Sequence, residues 1–185
     1  QGYWLGQTPV TQEQWQAVIR SNPSHFKGAN VPVEKVSWDH AMDFCRKLTE
    51  REQLAGRLQE GFAYTLPTEA QWEFACRAGT TGKYAGDLDA MGWHDDNSGG
   101  TTHPVGQKQP NAWGLYDMHG NVWEWCSDWY GSYSSGSVVD PIGAKSGTDR
   151  VLRGGSYCHG TRICRSAIRY WFTPALRDSD FGFRL

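Results

Sequence analysis

Apolar residues at helical spacing predict three helices in the first 80 residues of the chain. A capping box that begins at Thr11 precedes an apolar stripe and predicts a helix over Gln12–Arg20. Ser37 is the predicted N-cap of a second helix of about fourteen residues. A second capping box begins at Thr68 and predicts a third helix, which Gly79 is expected to end. The helices are therefore expected in the amino-terminal part.

The pattern changes from Gly79 onward, where seventeen of the 22 glycines lie and helical periodicity is absent. Short runs with partial apolar–polar alternation predict β-strands there. The predicted strands are Asn121–Trp129, Arg150–Arg153 and a closing strand at Gly182–Leu185, and the predicted loops are Tyr84–Gly100 and Ser127–Asp149. Helices followed by short strands define an α+β chain. No linker or repeat divides it, so a single domain over residues 1–185 is expected.

The composition narrows the classes of function. The 185 residues carry a formal net charge of −2 and a mean hydropathy of −0.64, and no apolar run approaches the ~18 residues of a membrane span. A near-neutral chain argues against nucleic acid as a partner. No basic and apolar leader follows Gln1, so membrane contact is expected only through a lipid anchor on an upstream segment. The ten tryptophans exceed what a core of aliphatic residues needs.

The five cysteines include no Cys-x-x-Cys pair and no zinc-finger spacing, so they predict no structural zinc site, and their disulfide state stays open. Cys158 and Cys164 form either a redox or copper pair, or a buried thiol beside an incidental one. His159 follows Cys158, but adjacent side chains of an extended strand point to opposite faces, so a nucleophilic Cys–His pair is not predicted. No other histidine is selected as a base from the set His25, His94, His103 and His119.

The segment from Thr148 to Leu185 holds seven arginines and no lysine. The planar guanidinium group makes bidentate hydrogen bonds that hold loops in place, and this structural role is the favoured interpretation. The alternative is an anion-binding face. The arginines are Arg150, Arg153, Arg162, Arg165, Arg169, Arg177 and Arg184.

Six spaced motifs resemble the formylglycine-generating-enzyme (sulfatase-modifying factor) superfamily. They run in order from the first residues to the last and are highly specific for that fold: Gly6–Trp15, Pro32–Trp38, Leu66–Glu73, Gly114–Trp125, Arg153–Ser156 and Gly182–Arg184. The resemblance implies a C-type-lectin-like α+β fold that is rich in loops, with short strands and two to three helices.

The resemblance also bears on catalysis. Enzymes of the superfamily carry a catalytic cysteine pair five positions apart after a Gly-Gly-Ser motif, whereas Cys158 and Cys164 lie six apart. A shift of one residue on a strand turns a side chain to the other face, so no catalytic residue is predicted. The alternative is a copper-dependent oxidase of the formylglycine-generating type that uses these two cysteines.

A calcium site is predicted around Gly120. Asp117 and Glu124 bracket this glycine, and two carboxylates with nearby carbonyl oxygens suit a hard cation. The alternative is that both carboxylates accept hydrogen bonds from loop N–H groups or from an arginine. The resemblance implies a family calcium site formed by Asp117, the carbonyls of Gly120 and Val122, and Glu124, so structural calcium is the one cofactor expected.

The composition between Tyr157 and Phe181 points to variability. Aromatic, aliphatic and acidic residues mix irregularly between the arginines, while Lys, Glu, Gln and Met are absent. Each such residue can be encoded by a codon ending in a pyrimidine, the set obtained when the adenines of an asparagine codon are randomised. This resembles the variable proteins of diversity-generating retroelements, which display a mutable carboxy-terminal surface on a C-type-lectin-like scaffold. Trp171 has no such codon and is expected to be fixed.

This second resemblance implies a non-catalytic protein that binds a macromolecular ligand at the cell surface or outside the cell. Residues 1–150 would be the scaffold and about 151–185 the variable region. Competing interpretations are a core role for these residues, as predicted for Ala167 and Phe183, and a non-variable accessory or chaperone-like module. The predicted ligand-binding residues are Tyr157, Cys158, His159, Gly160, Ile163, Ile168, Tyr170, Phe172, Ala175, Leu176, Asp178, Ser179, Asp180 and Phe181.

Overall fold

The computed structural model describes residues 2–133 and 135–185. These residues form four α-helices, one short 3-10 helix and four strands that make one sheet. The helices are α1 (Gln12–Ile19), α2 (Trp38–Leu54), α3 (Glu69–Arg77) and α4 (Leu88–Met91), the 3-10 helix is Thr161–Ile163, and the strands are β1 (Trp123–Trp129), β2 (Arg150–Arg153), β3 (Arg169–Phe172) and β4 (Phe181–Gly182).

The three predicted helices are confirmed, and local capping explains where they begin. Thr11 and Thr68 each accept a hydrogen bond from the N3 backbone N–H, and the N3 glutamine bonds back to the cap in both helices. Ser37 caps α2, which at 17 residues is longer than predicted. Helix α3 ends at Arg77, and its C-cap is Ala78, one residue before the predicted stop, which already adopts the left-handed conformation at φ 44°. Helix α4 lies in a stretch that was predicted to be a loop.

The sheet has the strand order β3-β2-β1-β4. Strand β2 runs antiparallel to both β1 and β3, and β4 runs parallel to β1. Strand β3 was not predicted. The predicted closing strand is wrong beyond Gly182, because the residues after it bond to the amino-terminal segment: Val10 N–H donates to the Phe183 carbonyl at 2.9 Å, and Gly6 N–H donates to Leu185 at 2.6 Å. The first and last segments therefore lie side by side.

The sheet separates two groups of buried side chains, because successive residues of a strand face opposite sides. On one side, Trp123, Trp125 and Leu152 pack with α1 and α2. On the other side, Cys126 and Val151 pack with α3, where Trp72 is buried. Tryptophans are central to both groups, which accounts for much of their abundance. Nothing in residues 2–133 and 135–185 forms a helix with the length and apolar character that spanning a membrane requires.

The structural interpretation of the carboxy-terminal arginines is confirmed for four of the seven. Arg169 makes a bidentate ion pair with Glu69, and Arg153 bonds to the same carboxylate at 2.7 Å. Arg150 lies between the rings of Trp38 and Trp129, 3.8 and 3.4 Å from their centroids. The fourth is Arg184, which pairs with Glu124. Planar guanidinium groups thus connect segments that have little regular secondary structure.

The buried carboxyl group of Glu34 predicts a dependence of stability on pH. Its side chain has no exposed surface, Oε1 accepts the Phe26 N–H at 2.8 Å, and Oε2 has no hydrogen-bond partner among the described residues. Burial raises the pKa of Glu34 from 4.5 to about 7, although bonds from the backbone N–H groups of Phe26 and His25 oppose it. Between pH 4.5 and about pH 7, the carboxyl group of Glu34 is deprotonated in the unfolded chain but stays protonated in the folded chain. The free energy of unfolding therefore falls as the pH rises through this range.

We expect the free energy of unfolding to fall by roughly 1–3 kcal/mol across this window because of Glu34. The measurement is urea unfolding of the wild type and the Glu34→Gln variant at a series of pH values. Other buried carboxyl groups titrate in both proteins, so the difference between the two curves isolates Glu34. A difference that does not change with pH would contradict the prediction.

Candidate functional site

Both carboxylates of the predicted calcium site bond to other protein groups. The carboxylate of Glu124 forms a bidentate pair with Arg184, at 2.6 and 2.7 Å, and also accepts the Trp72 indole N–H at 2.6 Å. Asp117 is buried, accepts the Gly106 N–H through Oδ2, and has a pKa that burial raises to about 6. Its Oδ1 has no partner among the described residues, whereas both oxygens of Glu124 already accept hydrogen bonds, and Arg184 balances the charge of Glu124.

Within the set Asp117, Gly120, Val122 and Glu124, the one carboxylate oxygen without a hydrogen-bond partner among the described residues is Asp117 Oδ1, so a calcium ion would have to compete with Arg184 for Glu124. The alternative considered from the sequence describes Glu124 better, because an arginine satisfies it. Sequence spacing alone could not reveal this partner, since Arg184 lies 60 positions away.

Most of the predicted ligand-binding residues lie at the surface or partly at the surface. Three are buried instead, because Tyr157, Asp180 and Phe181 are only 7%, 6% and 3% exposed. The prediction that these three lie at the binding surface is therefore wrong. Phe183 is buried as predicted, whereas Ala167 is exposed and the prediction of a core position for it is wrong. The exposed or half-exposed members are Cys158, His159, Gly160, Ile163, Ile168, Tyr170, Phe172, Ala175, Leu176, Asp178 and Ser179.

Three of these residues form a continuous surface over a buried tryptophan. The rings of His159 and Tyr170 both lie 5.6 Å from the Trp123 ring, and Phe172 lies 5.3 Å from Tyr170. Tyr170 is 43% exposed, whereas Trp123 is 1% exposed. We call His159, Tyr170 and Phe172 the Tyr170 surface. Residues distant in sequence thus meet on one face of the sheet.

Trp171 lies on the other face of β3. It is opposite Val151 in the register, whereas Tyr170 is opposite Leu152. The Trp171 ring stacks on Tyr130 with centroids 4.2 Å apart. Trp171 is 42% exposed, and its ring also lies 5.4 Å from the Tyr170 ring. The residue that was expected to be fixed therefore packs on Tyr130 and adjoins the Tyr170 surface at its edge.

A polar cluster supports the edge of the Tyr170 surface. Cys158 Sγ, His159 Nδ1 and Asp180 Oδ2 lie 3.6 Å from one another. The Ser156 hydroxyl donates to Asp180 at 2.8 Å and lies 2.6 Å from His159 Nδ1. Cys158 and His159 lie in a turn rather than on an extended strand, so the assumption that their side chains diverge is wrong.

This cluster is not arranged as a nucleophilic triad. In such a triad the base contacts the nucleophile through one ring nitrogen and its orienting carboxylate through the other. Here Cys158 and Asp180 both approach the same nitrogen of His159. Burial also raises the pKa of the Cys158 thiol, which disfavours the reactive thiolate.

The two cysteines of the proposed copper pair have different surroundings. Cys158 is exposed, whereas Cys164 is completely buried, and both are free thiols, as are the other three cysteines. The sulfur of Cys164 lies 4.0 Å from the backbone carbonyls of Ser156 and His159, and burial raises its pKa to about 12. A buried thiol with this pKa is a poor source of the thiolate that copper binds.

A cleft of about 720 Å³ lies away from the Tyr170 surface, between α3 and the segment that follows β1. Glu69, Phe74, Tyr133 and Lys145 are among the side chains that line it. Arg169 is its only lining residue that belongs to β3, and none of the fourteen predicted ligand-binding residues lines it. The Tyr170 surface is therefore not the wall of this cleft.

The whole chain, residues 1–185, matches the family model described as "Sulfatase-modifying factor enzyme 1-like domain". The chain belongs to this family, which confirms the resemblance inferred from the six motifs and the α+β fold.

The chain is similar both to formylglycine-generating enzymes and to a variable protein of known structure. Formylglycine-generating enzyme from Mus musculus is 34% identical over 98% of this chain and 50% of its own length. The solved structure of Treponema denticola variable protein 1 is 37% identical, with a TM-score of 0.88 over 97% of this chain and 82% of that one. PvdO from Pseudomonas aeruginosa, at 23% identity and a TM-score of 0.81 over 97% and 78%, shows the fold alone. The chain spans about half the length of the formylglycine-generating enzymes that it matches.

Proposed function

We propose that this protein is a non-catalytic binding protein that presents a diversified carboxy-terminal surface to a macromolecular ligand. The observation that carries the proposal is the coincidence of two independent features. The residues whose types are compatible with randomised asparagine codons include those that the structure brings together as the Tyr170 surface. The similarity to a variable protein in fold and sequence supports the same interpretation.

The contacts of β3 suit this role, because they hold the backbone while leaving side chains free to differ. Strand β3 pairs with β2 along four residues, and Arg169 anchors its first residue to Glu69. Tyr170 then projects from a backbone whose position does not depend on its own side chain. Aromatic side chains on a rigid support give a large contact area at low entropic cost. Tyr170 is 43% exposed, and the Tyr170 surface does not line the cleft of about 720 Å³, which favours a macromolecule over a small molecule.

The proposal includes display at the cell surface or outside the cell, where a variable binding face would meet its ligand. The copper-dependent alternative receives no support from the separate surroundings of Cys158 and Cys164. Incubating the chain with a Cys-x-Pro-x-Arg peptide, copper and a reductant tests it directly. Mass spectrometry should detect no formylglycine, and its formation would overturn the non-catalytic proposal.

Diversification itself is tested on the DNA. Sequencing downstream of the gene should find a near-copy of the codons for residues 151–185, next to a reverse-transcriptase gene. The copy should carry adenines at the codons of the eleven exposed or half-exposed members of the predicted set and a fixed codon for Trp171. Identical carboxy-terminal sequences in sister isolates, with no such copy nearby, would refute diversification.

The structure further predicts which positions tolerate variation. We expect libraries with pyrimidine-ending random codons at Tyr170, Ala175, Leu176 and Asp178 to stay largely folded, because substitutions at exposed positions usually change stability by about 0.5 kcal/mol or less. Resistance to protease on the yeast surface is the measurement, and selection against hen lysozyme should yield specific binders.

The matched control randomises the three buried members of the predicted set, Tyr157, Asp180 and Phe181. Most of these clones should lose protease resistance, because truncating a buried aromatic side chain costs about 3–5 kcal/mol. If both libraries lose resistance equally often, the exposed positions are structural and the proposal fails.

A further inference from the structure

A second cluster of titratable side chains lies in the turn after α4, outside the residues assigned so far. One nitrogen of His94 and one oxygen from each of Asp95 and Asp96 lie within 4.8 Å of one another. The side chain of His94 is 1% exposed, whereas those of Asp95 and Asp96 are 46% and 76% exposed. The cluster thus joins a buried imidazole to two carboxylates that reach solvent.

One ring nitrogen of His94 has a defined partner. Nε2 lies 2.8 Å from Asp89 Oδ1, and because an ionised carboxylate only accepts hydrogen bonds, Nε2 is the donor. Asn97 Nδ2 donates one N–H to the Gly92 carbonyl and also lies 3.1 Å from Nε2, but the contact of Nε2 with the Asp89 carboxylate is shorter and charge-assisted and therefore decides the tautomer. With the proton on Nε2, the neutral ring carries its lone pair on Nδ1.

The other ring nitrogen has no partner. Nδ1 of His94 is buried and makes no hydrogen bond within the described part of the chain. Asp96 Oδ2 and Asp95 Oδ1 face it at 3.7 and 3.9 Å, which is beyond hydrogen-bond distance. Buried polar atoms without a partner are rare and require an explanation. An ion between the three donors would supply the missing partner.

The distances suit a transition-metal ion. Zinc ligands at about 2.0–2.2 Å place neighbouring nitrogen and oxygen donors roughly 3.3–3.5 Å apart in a tetrahedral site. The observed separations from Nδ1 need to shorten by only a few tenths of an ångström, and the exposed carboxylates of Asp95 and Asp96 have the freedom to move. Imidazole as a ligand favours zinc and similar ions over calcium or magnesium.

We propose that His94, Asp95 and Asp96 bind a divalent first-row transition-metal ion of the zinc class, with water completing its coordination. Asp89 is the positioning residue: its hydrogen bond to Nε2 holds the ring in the tautomer that directs Nδ1 at the metal. The Asp95 backbone N–H also donates to the His159 carbonyl at 3.2 Å, so the ion would steady the turn that carries Cys158 and His159. The metal site does not depend on the proposed ligand-binding function.

Isothermal titration calorimetry tests the proposal: zinc chloride is titrated into the full chain after a chelator has removed any bound metal. We expect one zinc ion per chain, and a loss of affinity of about 100-fold or more when Asp95→Asn and Asp96→Asn are combined. Asp89→Asn should weaken binding by about 10- to 100-fold through its effect on His94. The matched control is Glu60→Gln, which removes one exposed charge elsewhere and should leave the affinity unchanged. Circular dichroism checks that each variant is folded.

A neighbouring donor set, Cys158, His159 and Asp180, provides the strongest competing explanation for any zinc bound. Cys158→Ser should therefore leave binding intact, and the ¹⁵N resonance of His94 Nδ1, not that of His159, should shift on adding zinc. The proposal is overturned if the wild type binds no stoichiometric zinc, if Cys158→Ser abolishes binding, or if Glu60→Gln weakens it as much as the paired asparagine substitutions.

Discussion

Replacing Glu124 by glutamine should destabilise the protein by about 3–5 kcal/mol, because it leaves the Arg184 guanidinium buried without a counter-charge. Both side chains are almost completely inaccessible to solvent, at 1% for Glu124 and 0% for Arg184. Arg184 also donates to the carbonyls of Gly6 and Tyr116, so the pair joins β1 to both chain ends. Urea denaturation followed by tryptophan fluorescence measures the change.

Glu50→Gln is the matched control for this prediction. Glu50 pairs with Arg46 at the surface, where the two side chains are 56% and 57% exposed, so its loss should cost about 1 kcal/mol or less. A calcium-selective chelator such as EGTA should leave the midpoint of thermal unfolding of the wild type unchanged. If EGTA destabilises the wild type as much as the Glu124 substitution does, the residue holds calcium rather than Arg184.

The second large effect is expected at Glu69. Its carboxylate accepts hydrogen bonds from Arg153 at 2.7 Å and, in bidentate geometry, from Arg169 at 2.6 and 2.7 Å. Glu69→Gln should destabilise the protein by roughly 3 kcal/mol, since Arg153 is fully buried and keeps only Glu73 as a counter-charge. Because Arg169 begins β3, the amides of residues 169–172 should also exchange hydrogen faster.

Hydrogen exchange of this strand separates a local effect from a general loss of stability. Tyr133→Phe is the control, because it removes only a hydroxyl that donates to Glu69 at 3.1 Å from a largely exposed side chain. This change should alter stability by about 0.5 kcal/mol or less. Unchanged exchange in β3 after Glu69→Gln would show that the carboxylate does not anchor the strand beneath the Tyr170 surface.

Local sequence signals located the helices well and the strands unevenly. Capping at Thr11 and Thr68 depends on residues three positions apart, so it can be read without knowing the fold. Strand β3 escaped detection because its formation depends on pairing with β2, and its exposure pattern does not alternate as a half-buried strand should. The short helix α4 was missed although Asp87 caps it, and the αL residue Ala78 shows that a helix can end without a glycine.

The candidate sites likewise depend on contacts between distant residues, which local sequence signals do not reveal. The sequence identified Asp117 and Glu124 as candidate metal ligands. Whether Glu124 binds a cation or pairs with an arginine depends on Arg184, which lies 60 positions further along the chain. His94 was not distinguished from the other histidines, because its significance lies in one buried nitrogen without a partner. The one sequence signal for it was the run of two aspartates that follows.

The sequence by itself determined the family, the α+β class, the three main helices and the chemical character of the segment between Tyr157 and Phe181. These properties follow from motifs, caps and composition, which are local or additive along the chain. Only the tertiary structure decided which of those residues reach solvent. It buried Phe181 against Trp125 and left Tyr170 exposed above Trp123. The physical reason is that burial and ion-pair partners depend on segments brought together from across the whole chain, and no local pattern records those neighbours.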